Sequence, residues 1–319
     1  MGSQTIGAKE KMSKNVLVIA GGISSEKDIS LQSGEEALKS LKRLGYNASL
    51  YRLTDDIFAF VQHLHNHRPD VVVNMLHGRF GEDGNVQGLL NLMHIPYTHS
   101  GCLASALSMD KHMAKKLFKA AGIPVAADRM VTLYDLQNND TLPYPYVIKP
   151  NNEGSSLGVF IIESEDDKNM LLNSWPFAGG TVMMEEYIRG RELSVAVLND
   201  KALGIVEIVP AAGFFDFHNK YTQGGARHLI PAPLDEAQEQ MLKEYAVKAH
   251  KALNCKGVSR TDFRLDDTNK ALPPRIVALE LNSQPGMTAL SLVPDIAKSI
   301  GMSYDQLMES LLEAASCEK

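Results

Sequence analysis

The sequence predicts an α/β fold: an N-terminal parallel sheet, followed by α+β organisation in the central and C-terminal parts. Three observations carry this. From Asn15 to Leu92, β-branched runs alternate with amphipathic stretches, the pattern of βαβ units. Later come four long apolar strand segments, Leu193–Leu198, Gly204–Val209, Gly257–Leu265 and Arg275–Asn282. Finally, 319 residues with 44 % apolar and 22 % charged side chains exclude a disordered or collagen-like chain. That length suits two domains or three small ones, each with its own core.

In chain order, Asn15–Ala20 ends at Gly21-Gly22 and reads as a buried strand entering a tight turn. Leu31, Leu38 and Leu41 mark one face of a helix that stops at Gly45. Strand Ala48–Leu53, helix Asp55–Asn66 and strand Asp70–Leu76 follow, then the glycine-broken loop His77–Gly84 and a helix through Leu92. Ligands of such sheets sit beyond the carboxyl ends of the strands, where the Gly21–Ser25 and His77–Gly84 loops fall. A helix from Asp110 to Ala121, closed by Gly122 and Pro124, opens a second region. Its strands are Tyr146–Lys149, Val159–Ile162 and Thr181–Glu185, with a helix between the last two. The third region adds a loop over Ala211–His228, a helix over Leu234–Leu253 and a last helix over Tyr304–Ala315. No repeat or low-complexity tract is evident.

Residues 1–13 lack the apolar stretch of a signal peptide and read as a flexible tail. Apolar runs such as Val16–Ala20 fall far short of the roughly 18 residues of a membrane helix. Cys102, Cys255 and Cys317 are odd in number and far apart, which argues against a disulfide framework or zinc site and for a reducing, cytoplasmic setting. With 32 basic against 38 acidic residues, the net charge of −6 disfavours nucleic-acid or membrane-surface binding. A polyanion such as ATP would need its own local supply of positive charge.

The common phosphate and zinc motifs, GxxxxGK[ST], GxGxxG after a strand and HExxH, are absent. The segment Lys149–Gly158 follows a strand and is rich in small residues. It is either an ordinary surface turn or a nest of N–H groups for phosphate, with Lys149 as a point charge. Alternation puts Arg260 and Asp262 on one strand face, and likewise Glu280 and Asn282. These hard oxygens suit Mg²⁺ or a salt-bridge cluster, and the cost of burying charge among Val, Leu and Ile favours the metal. The Glu185–Glu192 stretch is a plain charged hinge or a backbone edge that reads adenine, with Glu192 accepting from ribose hydroxyls. His63, His65 and His67 have no acidic or Cys partner nearby, while Met183, Met184 and Trp175 read as packing.

Taken together, five stretches resemble one family, the D-alanine–D-alanine ligases of the ATP-grasp superfamily. They are Gly21–Glu26, His77–Gly84, Met109-Asp110-Lys111, Lys149-Pro150 through Gly158, and Glu280–Thr288, in order and with family-like spacing. The resemblance implies an ATP-grasp fold preceded by a Rossmann-like domain. Its parts would be a tail over 1–13, then domains over 14–108, 109–190 and 191–319, with a lid at 211–228. It implies ATP-dependent joining of two D-alanines for peptidoglycan precursors, through an acyl phosphate, in a cytoplasmic homodimer. Lys111, Lys149, Ser156 and Lys220 would bind ATP, Glu185, Glu186 and Ile188 would border adenine, and Glu192 the ribose. Asp262, Glu280 and Asn282 would hold two Mg²⁺ or Mn²⁺ ions, while Arg260 and the Gly286 amide would stabilise the intermediate. Glu26 would bind the ammonium of the first D-alanine beside His77, with Ser291 and Leu292 bordering the second. A hydrogen-bonded set of Glu26, Ser155 and Tyr221 would tie the N-terminal domain to the lid.

Two positions depart from the family pattern: Glu186, where many relatives have lysine, and Thr288-Ala289-Leu290-Ser291, which lacks the usual Ser-His. The Lys220-Tyr221 pair favours a dipeptide over the D-alanine–D-lactate ester. The D-lactate ligase or another ATP-grasp carboxylate–amine ligase is the alternative. A silent nucleotide-binding module of this fold would be expected to have lost its metal ligands.

Overall fold

The computed structural model describes residues 8–138, 141–154, 157–177, 180–210 and 226–318. Among these, strand β1 (Asn15–Gly21) pairs in parallel with β2 (Asn47–Leu53) and β3 (Val71–Asn74). As the central strand it is covered on both faces, so every residue after Asn15 is buried. That is why it reads as an unbroken apolar run rather than an alternating one. Helix α1 (Ala8–Ser13) precedes it, so the expected tail is helical over those residues. Helix α2 (Lys27–Arg43) starts just after β1, and α3 (Ile57–His67) is capped by the Asp56 carboxylate accepting from Ala59 N at 2.9 Å. Helix α4 (Asn85–Leu92) follows β3 and the His77–Gly84 loop.

A short helix, α5 (Cys102–Met109), leads into α6 (Lys111–Ala120), whose N-cap Asp110 accepts from Met113 N at 2.9 Å. The sequence reading missed α5 because Cys-Leu-Ala-Ser-Ala-Leu-Ser-Met has small residues all round and no polar face to set a period. It also missed strand β4 (Asp128–Thr132) and helix α7 (Leu133–Gln137). β4 joins β5 (Tyr146–Lys149), β6 (Phe160–Ile162) and β7 (Thr181–Glu186) in an antiparallel sheet of order β4-β7-β5-β6. Helix α8 (Glu165–Ser174) lies between β6 and β7, as expected.

The third sheet has the order β10-β9-β8-β11-β12. It contains β8 (Arg191–Leu198), β9 (Lys201–Pro210), β10 (Ala226–Leu229), β11 (Val258–Asp266) and β12 (Arg275–Asn282), all antiparallel. β10 takes the last residues of the expected Ala211–His228 loop into the sheet. Ser155, Ser156, Lys220, Tyr221 and the remainder of the lid lie outside the described residues. Helix α9 (Glu236–Ala252) opens with an Asp235/Gln238 capping box. Helices α10 (Leu292–Ser299), not anticipated from the sequence, and α11 (Tyr304–Glu313) close the chain. Lys11 of α1 pairs with Glu309 of α11.

Two packing facts position the site. First, Val16, Val18 and Ala20 of β1 share one core with Ala196, Leu198, Val206 and Val258 of the five-stranded sheet and with Leu307, Met308, Leu311 and Leu312. The parallel sheet and the five-stranded sheet are thus fixed to each other by apolar burial. Second, Ala114 and Phe118 of α6 sit in a core with Leu193 and Val195 of the same five-stranded sheet and Leu242 of α9. Burying Phe118 alone is worth about 2–3 kcal/mol, so the lysines of α6 are carried on a well-anchored helix. The four-stranded sheet has a separate core around Tyr146, Ile148, Leu171 and Met184. Met183 and Met184 are buried and Trp175 packs at that core's edge. The three cysteines are free thiols. Among the described residues no helix is long and apolar enough to cross a membrane.

Candidate active site

The polar motifs of the sequence converge because of strand register. Arg260 lies opposite Asn282, and Asp262 opposite Glu280, on β11 and β12. On the other flank Asp262 lies opposite Ser194 and Arg264 opposite Glu192, on β8 and β11. Directly opposed residues share a face, so alternation along three strands gathers Glu192, Ser194, Arg260, Asp262, Arg264, Glu280 and Asn282 on one side of the sheet. Asp262 is buried; Arg260 meets it bidentately at 2.8 and 2.9 Å, and Ser194 Oγ donates to Oδ1 at 2.5 Å. Asn282 Oδ1 accepts from Gln284 N at 2.8 Å, which fixes its amide; a carbonyl oxygen has a second lone pair.

One cavity runs from this face toward the four-stranded sheet and is lined by Lys111, Lys149, Glu185, Glu186, Ile188 and Glu192. Lys149, at the end of β5, contacts Glu185 Oε2 at 2.7 Å. Glu185 Oε1 pairs with Lys115 of α6. Although burial opposes it, the two ammonium groups, Lys149 first, hold the Glu185 carboxyl below its usual range. Against the same burial penalty, Glu185 and then Glu280 hold Lys149 above its own. Burial pulls Lys115 down while Glu185 and Asp128 push back. Lys111 Nζ reaches Glu280 Oε2 at 3.1 Å and the Glu153 carbonyl. At the cavity's outer end Glu186 is engaged bidentately by Arg275 at 2.5 and 2.8 Å, which lowers its pKa. Arg264 clamps the crossover between the sheets, donating to Ile188 O at 3.1 Å and Gly190 O at 2.8 Å. Gly190 has φ +94°, and a Cβ there would lie 2.2 Å from Leu265 O, so this tight crossing requires glycine.

A second cavity opens toward the parallel sheet, lined by Glu26, His77, Glu82, Arg260, Gly286, Ser291 and Leu292. Glu26 is the N-cap residue of α2, and His77 lies just beyond β3. His77 Nε2 is 3.3 Å from Ser33 Oγ; burial lowers its pKa despite Glu26 nearby, which favours neutral imidazole. Glu82 was not singled out from the sequence, although it lies inside the quoted loop. It is 7 % exposed, Oε1 accepts from Gly78 N at 2.9 Å, and Oε2 is buried with no hydrogen-bond partner among the described residues. Burial, reinforced by Glu26, pushes its carboxyl up to about 8. Gln284 bridges the two sheets: it donates to Leu76 O and accepts from Asn74 Nδ2 at 2.9 Å. Ser291 Oγ accepts from Thr288 N at 3.0 Å, so Thr288 holds this serine without the usual Ser-His.

The two cavities share Glu192, Asp262 and Glu280. The described members of the expected site are therefore brought to one cleft, including residues more than 250 positions apart in the chain. Lys115, Glu82, Arg264 and Gln284 were missed. Lys115 carried one usable signal, its four-residue spacing from Lys111 on a single helix face. Among the described residues no group of three His, Cys, Asp or Glu side chains could hold a metal by itself. Two carboxylates and one amide oxygen on a common wall nevertheless fit Mg²⁺, which takes few protein oxygens and completes its shell with phosphate and water.

A family model described as the D-ala D-ala ligase C-terminus matches residues 117–313, and one for the D-ala D-ala ligase N-terminus matches residues 58–100. A D-alanine–D-alanine ligase of Paramagnetospirillum magneticum is 51 % identical over 307 residues, covering 96 % of this chain and 100 % of the relative. The solved D-alanine–D-alanine ligase of Bacillus anthracis matches with a TM-score of 0.81 at 31 % identity, covering 95 % of this chain and 97 % of that one. Its complex with ATP matches with a TM-score of 0.79 at 30 % identity, over 94 % and 96 % of the two chains.

Proposed function

Because the chain belongs to the D-alanine–D-alanine ligase family, we propose that it joins two D-alanines into D-alanyl-D-alanine at the expense of ATP. The product serves peptidoglycan precursor synthesis. The observation that carries this reading is the pair of cavities meeting at Asp262 and Glu280. One has the buried lysines a polyphosphate needs, the other the carboxylate and small-residue walls an amino acid needs.

The carboxylate of the first D-alanine attacks the γ-phosphorus of ATP, the bond to ADP breaks, and an acyl phosphate forms. The amine of the second D-alanine then attacks the acyl carbon, and phosphate leaves as the amine loses a proton. Lys111 and Lys149 bind the phosphates, with Ser156 and Lys220 completing the nucleotide site. Glu185, Glu186 and Ile188 border the adenine and Glu192 the ribose. Glu26 takes the first substrate's ammonium beside His77, and Ser291 and Leu292 border the second substrate. Arg260 and the Gly286 N–H face the oxyanion of the tetrahedral intermediate, where fixed donors stabilise developing charge most effectively. Glu26, Ser155 and Tyr221 are assigned to the catalytic set on the family resemblance. Asp262, Glu280 and Asn282 are the residues that would hold two Mg²⁺ or Mn²⁺ ions, which when bound neutralise phosphate oxygens as Lewis acids. The division into 14–108, 109–190 and 191–319, a homodimeric state and a cytoplasmic location belong to the same reading, and the three separate sheets support the division.

Phosphate release from ATP with Mg²⁺ tests it. D-alanine should stimulate release and yield the dipeptide, with D-lactate and L-alanine far poorer. No release with D-alanine would sink the reading.

A further inference from the structure

Asp128 on β4 lies directly opposite Glu185 on β7. Like charges so opposed destabilise a sheet, and both side chains are almost fully buried, 2 and 3 % exposed. Lys115 descends from α6 onto this pair. It is completely buried, bonded to Glu185 Oε1 and 3.8 Å from Asp128 Oδ1. The outer side of Asp128 is met by His112 at 2.8 Å and Lys119 at 3.1 Å. The remaining Glu185 oxygen, Oε2, holds Lys149 at the cavity wall.

Charge therefore alternates along one line: Asp128, Lys115, Glu185, Lys149. Only the last of these side chains lines the nucleotide cavity together with Glu185. Without Lys115, the Glu185–Lys149 pair would present no net charge to a polyphosphate. With it, and with Asp128 offset by Lys119, the Lys115–Glu185–Lys149 triad presents one positive charge. A field acting through a buried, low-dielectric wall is weakly screened.

We infer that Lys115 is a positioning residue for the nucleotide. By taking up the charge of Glu185, it leaves the Lys149 ammonium fixed in place and electrostatically available to the phosphate chain. This rests on the reading of the cavity as the ATP site. A purely structural Lys115 would change folding stability without changing how the site discriminates phosphorylated from unphosphorylated nucleosides.

The test is the ratio of the dissociation constants of adenosine and ADP, measured by calorimetry in one Mg²⁺-containing buffer. Adenosine shares the base and ribose, so the ratio cancels effects on those contacts and reports the phosphate field. Lys115→Met should lower the ratio at least about fivefold. Glu185→Gln should not lower it, and the double variant Lys115→Met/Glu185→Gln, which restores the net charge, should return to within about twofold of wild type. Should Lys115→Met fail to fold, the comparison of Glu185→Gln with the double variant carries the same test, the double variant having the lower ratio. An unchanged ratio in folded Lys115→Met, or a double variant as low as the single one, would overturn the inference while leaving the ATP site standing. Wild-type protein that binds no ADP would overturn both.

Discussion

Replacing Glu82 by Gln probes a carboxyl group that the fold keeps next to another acid, Glu26. Glu82 Oε1 accepts from Gly78 N at 2.9 Å, an interaction the Gln carbonyl can reproduce, while Oε2 is buried without a hydrogen-bond partner among the described residues. Burial and Glu26 move the carboxyl from 4.5 to about 8, a difference of 8 − 4.5 = 3.5. At about 1.4 kcal/mol per unit, that corresponds to roughly 5 kcal/mol. Below pH 4.5 the group is protonated in both folded and unfolded chains, so the fold incurs no ionisation penalty. Between pH 4.5 and 8 the unfolded chain ionises Glu82 while the folded chain holds the proton, and stability is lost progressively. Above about pH 8 both states are ionised and the loss levels off. Gln does not titrate. The variant should therefore be near wild type at pH 5 and about 3–5 kcal/mol more stable at pH 8, growing by about 1.4 kcal/mol per pH unit. Urea unfolding at pH 5, 6, 7 and 8 measures this. A pH-independent difference, or a variant less stable than wild type at pH 8, would refute the reasoning.

Lys149→Met removes the ammonium that Glu185 holds at the cavity wall; kcat/KM for ATP of the folded variant should fall at least about 100-fold, together with a loss of stability because buried Glu185 loses the larger of its two charge partners. Turnover within threefold of wild type in a phosphate-release assay would remove Lys149 from the phosphate site. Gly190→Ala places a Cβ 2.2 Å from Leu265 O at φ +94°. Calorimetry should show about 2–4 kcal/mol of destabilisation, and an unaltered melting temperature would show that the crossover relaxes freely.

Glu186 shows how far sequence reading reaches at this site and where it stops. That an acid stands there is plain from the sequence, as is its departure from the family pattern. That it is engaged by Arg275, 89 positions away, at 2.5 and 2.8 Å depends on how β7 and β12 approach one another. Glu82 is a comparable case. Its loop was recognised, but the raised carboxyl results from burial against Glu26, 56 positions earlier, which no local pattern encodes.

The sequence by itself determined the repeating units. Alternating β-branched and amphipathic segments specify the parallel sheet of β1–β3, because those periods follow from the geometry of single elements. It also determined the chemistry carried by individual strands, since side chains two apart must share a face, as Arg260 and Asp262 do. Tertiary structure decided which strands stand side by side. Register set Asp262 opposite Glu280 and Arg260 opposite Asn282, and packing of α6 beneath the five-stranded sheet brought Lys115 onto Glu185. The difference is one of range. Local periodicity is written within a few residues, whereas cross-strand register and buried charge compensation arise from contacts between distant segments that form only when the cores close. The acidic excess of the chain illustrates both levels: the net charge is legible from composition, but the placement of Lys111, Lys115, Lys149 and Arg260 against buried and half-buried acids is a property of the folded cleft.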